Sequence, residues 1–497
     1  MKCLWALLGS CLILVACSTT PEPAGPVVSD ASTFLGLAVG EVSELPDPLA
    51  RAELYVRIAT AYRALGDEQS LRSLATSAFE LVRGVGLTED SARTQLSLAP
   101  LLASVGDDES AGAVLETGLE YAADSSDSAL RSVILPLVVQ AALQSEEAAR
   151  PVVRRAVDEV FVIEDPRARA EALIRIAELY QAGDAFLSVT GLIQQAIPAI
   201  RSSEGAYVRA QLFTRLALLA AATQESRLSF RLAENAVIDV RSADAPADNS
   251  DAERLLAVVD RLAVLGRREA ATSLLDSFAR PYFRLRALLL LAASYEARRD
   301  QLDLIETARE LLSDIPDTRD LVDARIRVGI ALGEAQAQTD ALSQAQAAAG
   351  LIVDNEEIYS RIEPPARLAE LLVLLDRPEA IQALLEEAPD AYIRGAVAVR
   401  AADKLIALER SAQADEFLTN ALIASDEATY LVDGLRRQIV GGFARTGSIR
   451  LAIRTLERMD DELLFAQALV ELAVVAEPAG LVTPILRSDL ASVLASR

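Results

Sequence analysis

The chain has 497 residues, of which 52% are hydrophobic, most of them alanine and leucine, and only 4% are aromatic. Such a composition favours helices, and no convincing alternating run of branched and aromatic residues predicts a strand, so we expect an all-α protein. The formal net charge of −25 opposes binding to phosphate backbones and anionic lipid headgroups, which argues against nucleic acid as a partner.

The N-terminus predicts a signal peptide. Residues 4–15 form an apolar run after Lys2, and this run is shorter than the roughly twenty residues that cross a bilayer as a helix. The run ends in the sequence LVAC at residues 14–17, which resembles the lipobox of bacterial lipoproteins. The resemblance implies that residues 1–16 are removed and that Cys17 is lipidated. The alternative is an ordinary signal peptide with a chance cysteine.

The next segment is typical of a flexible tether. Residues 17–30 are rich in proline and small polar residues and cannot bury a core. Ser18 after the lipid-bearing cysteine resembles the pattern of lipoproteins sorted to the outer membrane, so we expect a lipid anchor there, with the protein on the periplasmic face. Surface exposure is the alternative. Cys17 is the one cysteine that remains after cleavage, which excludes an intrachain disulfide.

From about residue 47 the chain repeats itself. Residues 47–59 read DPLARAELYVRIA, and residues 165–177 read DPRARAEALIRIA; a Gly-Asp pair follows each segment, at Gly66 and Gly183. Weaker copies extend to Ala473, giving about eleven steps that average about 38 residues. A period of this length indicates stacked helix pairs.

Each unit predicts two helices that cannot bury their apolar faces alone. Apolar residues spaced by three and four mark one face in residues 54–65 and another in residues 71–82. Gly66 suits the left-handed residue that ends the first helix, and Asp67 can cap the second. Stacking the units buries one continuous core, so the sequence predicts an α-solenoid.

The order of residue types resembles the tetratricopeptide repeat. Large, small, aromatic, turn and small residues fall at Ile58, Ala59, Tyr62, Gly66 and Ala78. No unit contains a tryptophan, and several exceed the usual 34 residues of that family, so we describe the chain as TPR-like. The resemblance implies a superhelical solenoid of about eleven or twelve TPR-like helix-turn-helix repeats.

Irregular segments suggest how the array is divided. The proline-containing segment 242–251 predicts a break between two halves, and 354–365 a second irregularity; Thr483 and Pro484 predict the start of a closing helix. Residues 31–44 predict a lone helix that covers the first unit. The predicted regions are residues 1–16, the signal peptide; 17–30, the lipidated cysteine and tether; 31–245, the N-terminal half of the array; and 246–497, its C-terminal half.

The sequence offers no familiar catalytic or metal-binding constellation. The chain has no histidine, which excludes Ser-His-Asp and Cys-His systems and His-ligated metals, and it has no glycine-rich phosphate loop. Lys404 is its only lysine after cleavage and lacks the serine of a Ser-x-x-Lys pattern. Carboxylate clusters at 107–109, 146–147 and 460–462 fall at predicted turns and helix starts, where acids stabilise the positive helix end. We therefore expect no catalytic residues, no metal and no cofactor.

The TPR-like resemblance implies a binding groove instead, lined by outward residues of the first helices. The implied groove positions are Glu53, Thr60, Arg63, Glu171, Glu178, Gln181, Gln211, Arg286 and Glu296. The leading hypothesis is a non-enzymatic envelope scaffold that holds another envelope protein or an extended peptide and meets the membrane only through its lipid. The alternatives are a cell-wall hydrolase built on an α-superhelix and a surface-exposed ligand-binding lipoprotein.

Overall fold

The computed structural model describes residues 33–145, 150–181 and 188–497. The predicted signal peptide, Cys17, the tether, Gly183 and the acidic pair at 146–147 lie outside these residues. The described ranges contain helices and connecting segments but no strand, which confirms the predicted all-α class.

The helices alternate between first and second members of a pair, after an N-terminal helix α1 (Phe34–Ser43). The first helices are α2 (Pro48–Leu65), α4 (Glu89–Ser104), α6 (Ser128–Leu143), α8 (Pro166–Gln181), α10 (Ala206–Ala222), α12 (Asn249–Val264), α14 (Pro281–Ala293), α16 (Thr318–Glu334), α19 (Glu363–Leu374), α21 (Ala391–Ala407), α23 (Val432–Thr446) and α25 (Glu462–Ala476). The helices that follow them are α3 (Glu68–Arg83), α5 (Asp108–Asp124), α7 (Arg150–Val162), α9 (Val189–Ser202), α11 (Ser226–Arg241), α13 (Arg268–Thr272), α15 (Arg298–Glu310), α17 (Gln338–Val353), α20 (Pro378–Glu386), α22 (Ser411–Glu427), α24 (Ile449–Leu456) and α26 (Pro484–Ser496), with the single-turn α18 (Glu356–Tyr359) between α17 and α19.

The twelve first helices of the described chain close into a ring. Each packs against the first helix of the next unit, and the last of them, α25, packs against α2. The predicted number of repeats is therefore confirmed, and the solenoid has no free end.

Helix α1 completes the seam where the ring closes. It packs against α25 and α2, in the position that a second helix occupies between two first helices elsewhere, while α26 packs against α24 and α1. Phe34, Leu35, Ala38 and Val42 are fully buried there, and the backbone N–H of Phe34 donates to Glu477 at 2.8 Å. The predicted helix that covers the first unit thus also covers the last.

The first helices form the inner layer. They pack side by side at every step, whereas packing between second helices is sparse, and the inner of two concentric layers has the shorter circumference. Twelve helices spaced about 10 Å apart and about 11 Å thick leave a central opening about 25 Å wide. We call the surface around this opening the inner face.

The turns within pairs lie on one rim of the ring, because all first helices run in the same direction. Gly66 and Gly106 end α2 and α4 in the left-handed conformation, as the Gly-Asp pattern predicts. Asp67 and Asp107 then cap α3 and α5 by accepting from Ser70 and Ser110 N–H groups. We call this rim the turn rim and the opposite one the N-terminal rim.

The segments that the sequence marks as irregular, and the start of the predicted closing helix, differ from one another in structure. Residues 242–248 connect α11 to α12, and α10 still packs against α12 across this connection. The segment 354–365 holds α18 and the start of α19, which confirms the predicted irregularity. Thr483 caps α26 with its hydroxyl, and Pro484 is the first helical residue, as predicted.

Candidate binding surfaces

Ion pairs between neighbouring first helices line the inner face. In each pair the carboxylate belongs to one unit and the arginine to the next. The pairs are Glu178–Arg215 at 2.8 Å, Glu253–Arg286, Asp323–Arg367, Glu370–Arg400 at 2.7 Å and Asp403–Arg445 at 2.8 Å. We call this set the inner ladder. It bridges the units on the side of the first helices that faces the opening.

The nine predicted groove residues are spread over α2, α8, α10 and the α14 region and do not converge on one pocket. Glu53, Thr60 and Arg63 are exposed on α2, and Gln181 is exposed at the end of α8. Half-buried Glu171 pairs with Arg167 of its own helix. The backbone carbonyl of half-buried Gln211 accepts from Arg261 at 3.2 Å. Glu296 is exposed but lies beyond the end of α14, on the turn rim.

The inner ladder engages two of the predicted groove residues. Glu178 accepts from Arg215 through both carboxylate oxygens, and Arg286 donates to Glu253. Pairing across units positions these side chains and holds neighbouring helices together, so changing them alters the ring itself.

Two arginines that the sequence prediction missed lie on the same inner stripe. Arg57 and Arg175 occupy equivalent positions of matching repeats, and Arg175 is one turn from Glu178 on its helix face. Both are exposed and form no ion pair with a described residue, and the same is true of Arg63. The repeat alignment was the available signal, because it aligns the two arginines directly.

A cleft opens at the N-terminal rim between α14, α16 and α19, with a volume of about 370 Å³. Its centre is Asp323 of α16, which accepts from Tyr282 at 2.7 Å, from Arg327 at 2.5 Å and from Arg367 of the next unit. Burial opposes ionisation of this carboxyl, but the charge of Arg327 and the hydrogen bonds from Tyr282 and Arg327 hold its pKa below the usual value. Burial, together with the same carboxylate, raises the pKa of Tyr282 to about 12.

A larger cleft of about 830 Å³ lies on the outer layer, between α11 and the short helix α13. We call it the outer cleft; Phe230, Val237, Ile238, Arg241, Arg267 and Tyr295 line it. The guanidinium of Arg267 lies 4.3 Å from the ring centre of Phe230, and that of Arg268 lies 4.5 Å from the ring centre of Tyr295. The prediction of a groove on the first helices did not include this surface.

The described carboxylate clusters cap helices, as the sequence predicts. Asp107 caps α5, and Asp461 caps α25 by accepting from Leu464 N–H at 2.8 Å. Asp433 accepts from the backbone N–H groups of Asp460 and Asp461. Across the described residues, no group of acidic or cysteine side chains is arranged to hold a metal ion. None of the described helices combines the length and the apolarity that spanning a bilayer requires.

Comparisons with known proteins give similarity of fold at most. No family model matches the chain, and the search of curated proteins found no match. Among solved structures, Ton1535 from Thermococcus onnurineus NA1 is 18% identical with a TM-score of 0.27, covering 68% of this chain and 99% of its own. The human IFIT1 dimer with m7Gppp-AAAA is 11% identical with a TM-score of 0.26, covering 95% and 94%. A circular tandem repeat protein is 16% identical with a TM-score of 0.17, covering 90% and 95%. At these values none carries an inference about function.

Proposed function

We propose that this chain is a non-enzymatic scaffold, anchored in the bacterial outer membrane by a lipid on Cys17, whose inner face holds another envelope protein or an extended peptide. The observation that carries the proposal is the closure of twelve helix pairs around an opening about 25 Å wide. A helix with its side chains is about 10–12 Å across, so the opening is wide enough for a helical or extended segment.

The inner ladder supports this role because it fixes the wall of the opening before a partner arrives. A preorganised surface loses less conformational freedom on binding than a mobile one. The exposed arginines Arg57, Arg63 and Arg175 then supply charge that the ladder leaves unpaired within the described chain. These three residues are the first candidates for contact with acidic or carbonyl groups of a partner.

The seam also shows from which rim the proposed tether would leave the ring. The N-terminus of α1 lies beside Glu477 at the C-terminal end of α25, and therefore at the turn rim. The sixteen residues from Cys17 to residue 32 span at most about 55 Å. The proposed tether would therefore leave the ring from the turn rim.

Site-specific cross-linking in the native host tests the inner face. A photoreactive amino acid replaces Thr60, which is exposed on inner helix α2, or Thr76, which is exposed on outer helix α3. We expect one dominant envelope protein to be cross-linked from position 60 and not from position 76. The cross-link should weaken when Arg57→Glu and Arg175→Glu are combined. Equal cross-linking from both positions would contradict a specific inner-face site.

Two further measurements test the anchor and the absence of catalysis. Cys17→Ser should release the protein from the membrane fraction and abolish labelling by a fatty-acid analogue; labelling that persists would contradict the anchor at Cys17. Incubation of the mature protein with purified sacculi should release nothing. Soluble muropeptides would instead support the cell-wall hydrolase.

A further inference from the structure

The outer cleft lies beside α13, which is much shorter than the neighbouring second helices. Helix α11 has 16 residues and α9 has 14, whereas α13 has only five and is followed by a single 3-10 turn at Leu275–Ser277. The flank of α11 that faces this unit therefore lacks the helical turns that would lie beside it. The space left is an open groove on the outside of the ring.

The groove has an apolar floor. Phe230, Val237 and Ile238 lie on one helical face of α11, and Ala270 of α13 and Tyr295 complete the lining. Phe230 is 40% exposed and Ile238 is 63% exposed. Exposed apolar residues grouped in one groove mark an interaction site more often than scattered single residues do.

Within the described residues, the arginines around the groove have no carboxylate partner. Arg241 donates to the hydroxyl of Ser273 at 2.8 Å, Arg267 lies over Phe230, and Arg268 donates to the carbonyl of Ser294. Each of these contacts is with a neutral group. Arg227 and Arg231, farther along α11, likewise form no ion pair with any residue of the described ranges.

The arginines of the outer cleft differ from those of the inner ladder. The arginines of the inner ladder are paired with carboxylates, and the chain as a whole has a net charge of −25. Three arginines, Arg241, Arg267 and Arg268, line the cleft together with two carboxylates, Glu234 and Glu269. The lining of the outer cleft thus carries a small excess of positive charge on an acidic protein.

We propose that the outer cleft binds an amphipathic helix of another protein, with apolar side chains on one face and carboxylates on both flanks. The apolar face would cover Phe230 and Ile238, and the carboxylates would pair with the surrounding arginines. The helix would occupy the outer-layer space beside the shortened α13, as in other helix-in-groove complexes. This site is distinct from the inner face and does not depend on the lipid anchor.

Two synthetic helical peptides of about five turns test the proposal. Both carry the same leucine face, one with glutamate flanks and the other with lysine flanks. Their binding to the mature chain carrying Cys17→Ser, which needs no detergent, is measured by fluorescence anisotropy. We expect the glutamate peptide to bind at least about tenfold more tightly, with a preference that falls as salt rises.

Matched variants locate the binding. Ile238→Asp should abolish binding, whereas Ile423→Asp, at an isoleucine that is 55% exposed on α22, should leave it unchanged. Arg267→Gln combined with Arg268→Gln should weaken binding of the glutamate peptide about tenfold and weaken binding of the lysine peptide less. Thermal unfolding checks that each variant remains folded.

Three results would overturn the proposal. The first is equal affinity for the two peptides, and the second is an equal loss of peptide binding with Ile238→Asp and with Ile423→Asp. The third is a concentration-dependent dimer that Ile238→Asp abolishes, which would show that a second copy of the chain covers the cleft. Because cross-linking at position 60 examines the inner face and these peptides examine the outer cleft, failure of one proposal is distinguishable from failure of the other.

Discussion

At the scale of single residues, the turns within pairs share one geometry that the sequence shows only in part. The residue after the left-handed position donates its N–H to a carbonyl five residues earlier, as Asp67 does to Tyr62 and Ala337 does to Leu332. Glycine occupies the left-handed position in some units, but Gln224, Gln336, Asp376 and Glu409 occupy it in others. A glutamine or an acid there carries no sequence signal, so these turns could not be predicted by pattern.

The non-glycine residues in these turns predict a gain in stability on substitution. Gln336→Gly should stabilise the protein by about 0.5–1 kcal/mol. The left-handed conformation costs roughly 1–2 kcal/mol for residues with a Cβ, and the larger chain entropy that glycine loses on folding offsets part of this gain. Gly66→Ala, at φ 74° with open space around a Cβ, should destabilise it by about 1 kcal/mol. Urea denaturation measures both changes. If Gln336→Gly lowers stability, the conformation at that turn imposes no strain.

At the scale of helices, the sequence predicted pairs and caps well because their signals are local. It did not predict the inner ladder, since nothing in the residues around Glu178 indicates that Arg215, 37 residues later, lies opposite. The shortness of α13 could have been predicted from the spacing of the turns. Only fourteen residues separate Gly266 from Pro281, whereas twenty-two separate Gly66 from Glu89. That spacing leaves no room for a full second helix and its connections.

Asp323 joins three helices, and its charge should stabilise their packing. Asp323→Asn removes the carboxylate partner of Arg327 and leaves Arg367 with only the exposed Glu363, which should cost about 2–4 kcal/mol because both guanidinium groups are largely buried. Glu116→Gln is the matched control, since the Glu116–Arg155 pair also links two helices but is exposed, and it should change stability by less than about 0.5 kcal/mol. Chemical denaturation at neutral pH compares the two. Equal losses would show that Asp323 contributes no more than a surface charge.

The same residue predicts how stability depends on pH. Because the folded-state pKa of Asp323 is lowered, its contribution is fully present above the usual carboxyl pKa of about 3.9 and is lost as pH falls through the lower folded value. The difference in stability between wild type and Asp323→Asn should therefore be constant near neutrality and shrink below about pH 4. The pKa of nearby Asp320 is raised, chiefly by burial, so the comparison must be between the two proteins and not of wild type alone. A difference that stays constant down to pH 2 would contradict the assignment.

At the scale of the whole molecule, closure depends on curvature accumulated over all units, and no local pattern encodes it. Each unit contributes a small rotation, and only their sum decides whether the last first helix meets the first one. The four apolar residues of α1 predicted a helix with one buried face, which the structure confirms. That this face is shared between α25 and α2 could not be predicted, because it depends on where residue 462 lies relative to residue 48.

Closure changes how the array should unfold. In an open solenoid the end units have one neighbour each and exchange their amide hydrogens fastest, whereas in a ring every first helix has two neighbours. Phe34→Ala removes a fully buried side chain from the seam, at a cost of about 3–5 kcal/mol, and should open the ring there. Hydrogen exchange should then accelerate in α1, α2 and α25, and small-angle X-ray scattering should report a larger radius of gyration.

Phe213→Ala is the control for this experiment. Phe213 is equally well buried on α10, across the ring from the seam, so its loss should accelerate exchange in α10 and its neighbours without freeing α25 from α2. If Phe34→Ala and Phe213→Ala accelerate exchange in α2 and α25 alike, the ring unfolds as one cooperative body. If neither affects α25, the seam does not hold the ring closed. Selective loosening at the seam alone would show that α1 holds the ring closed.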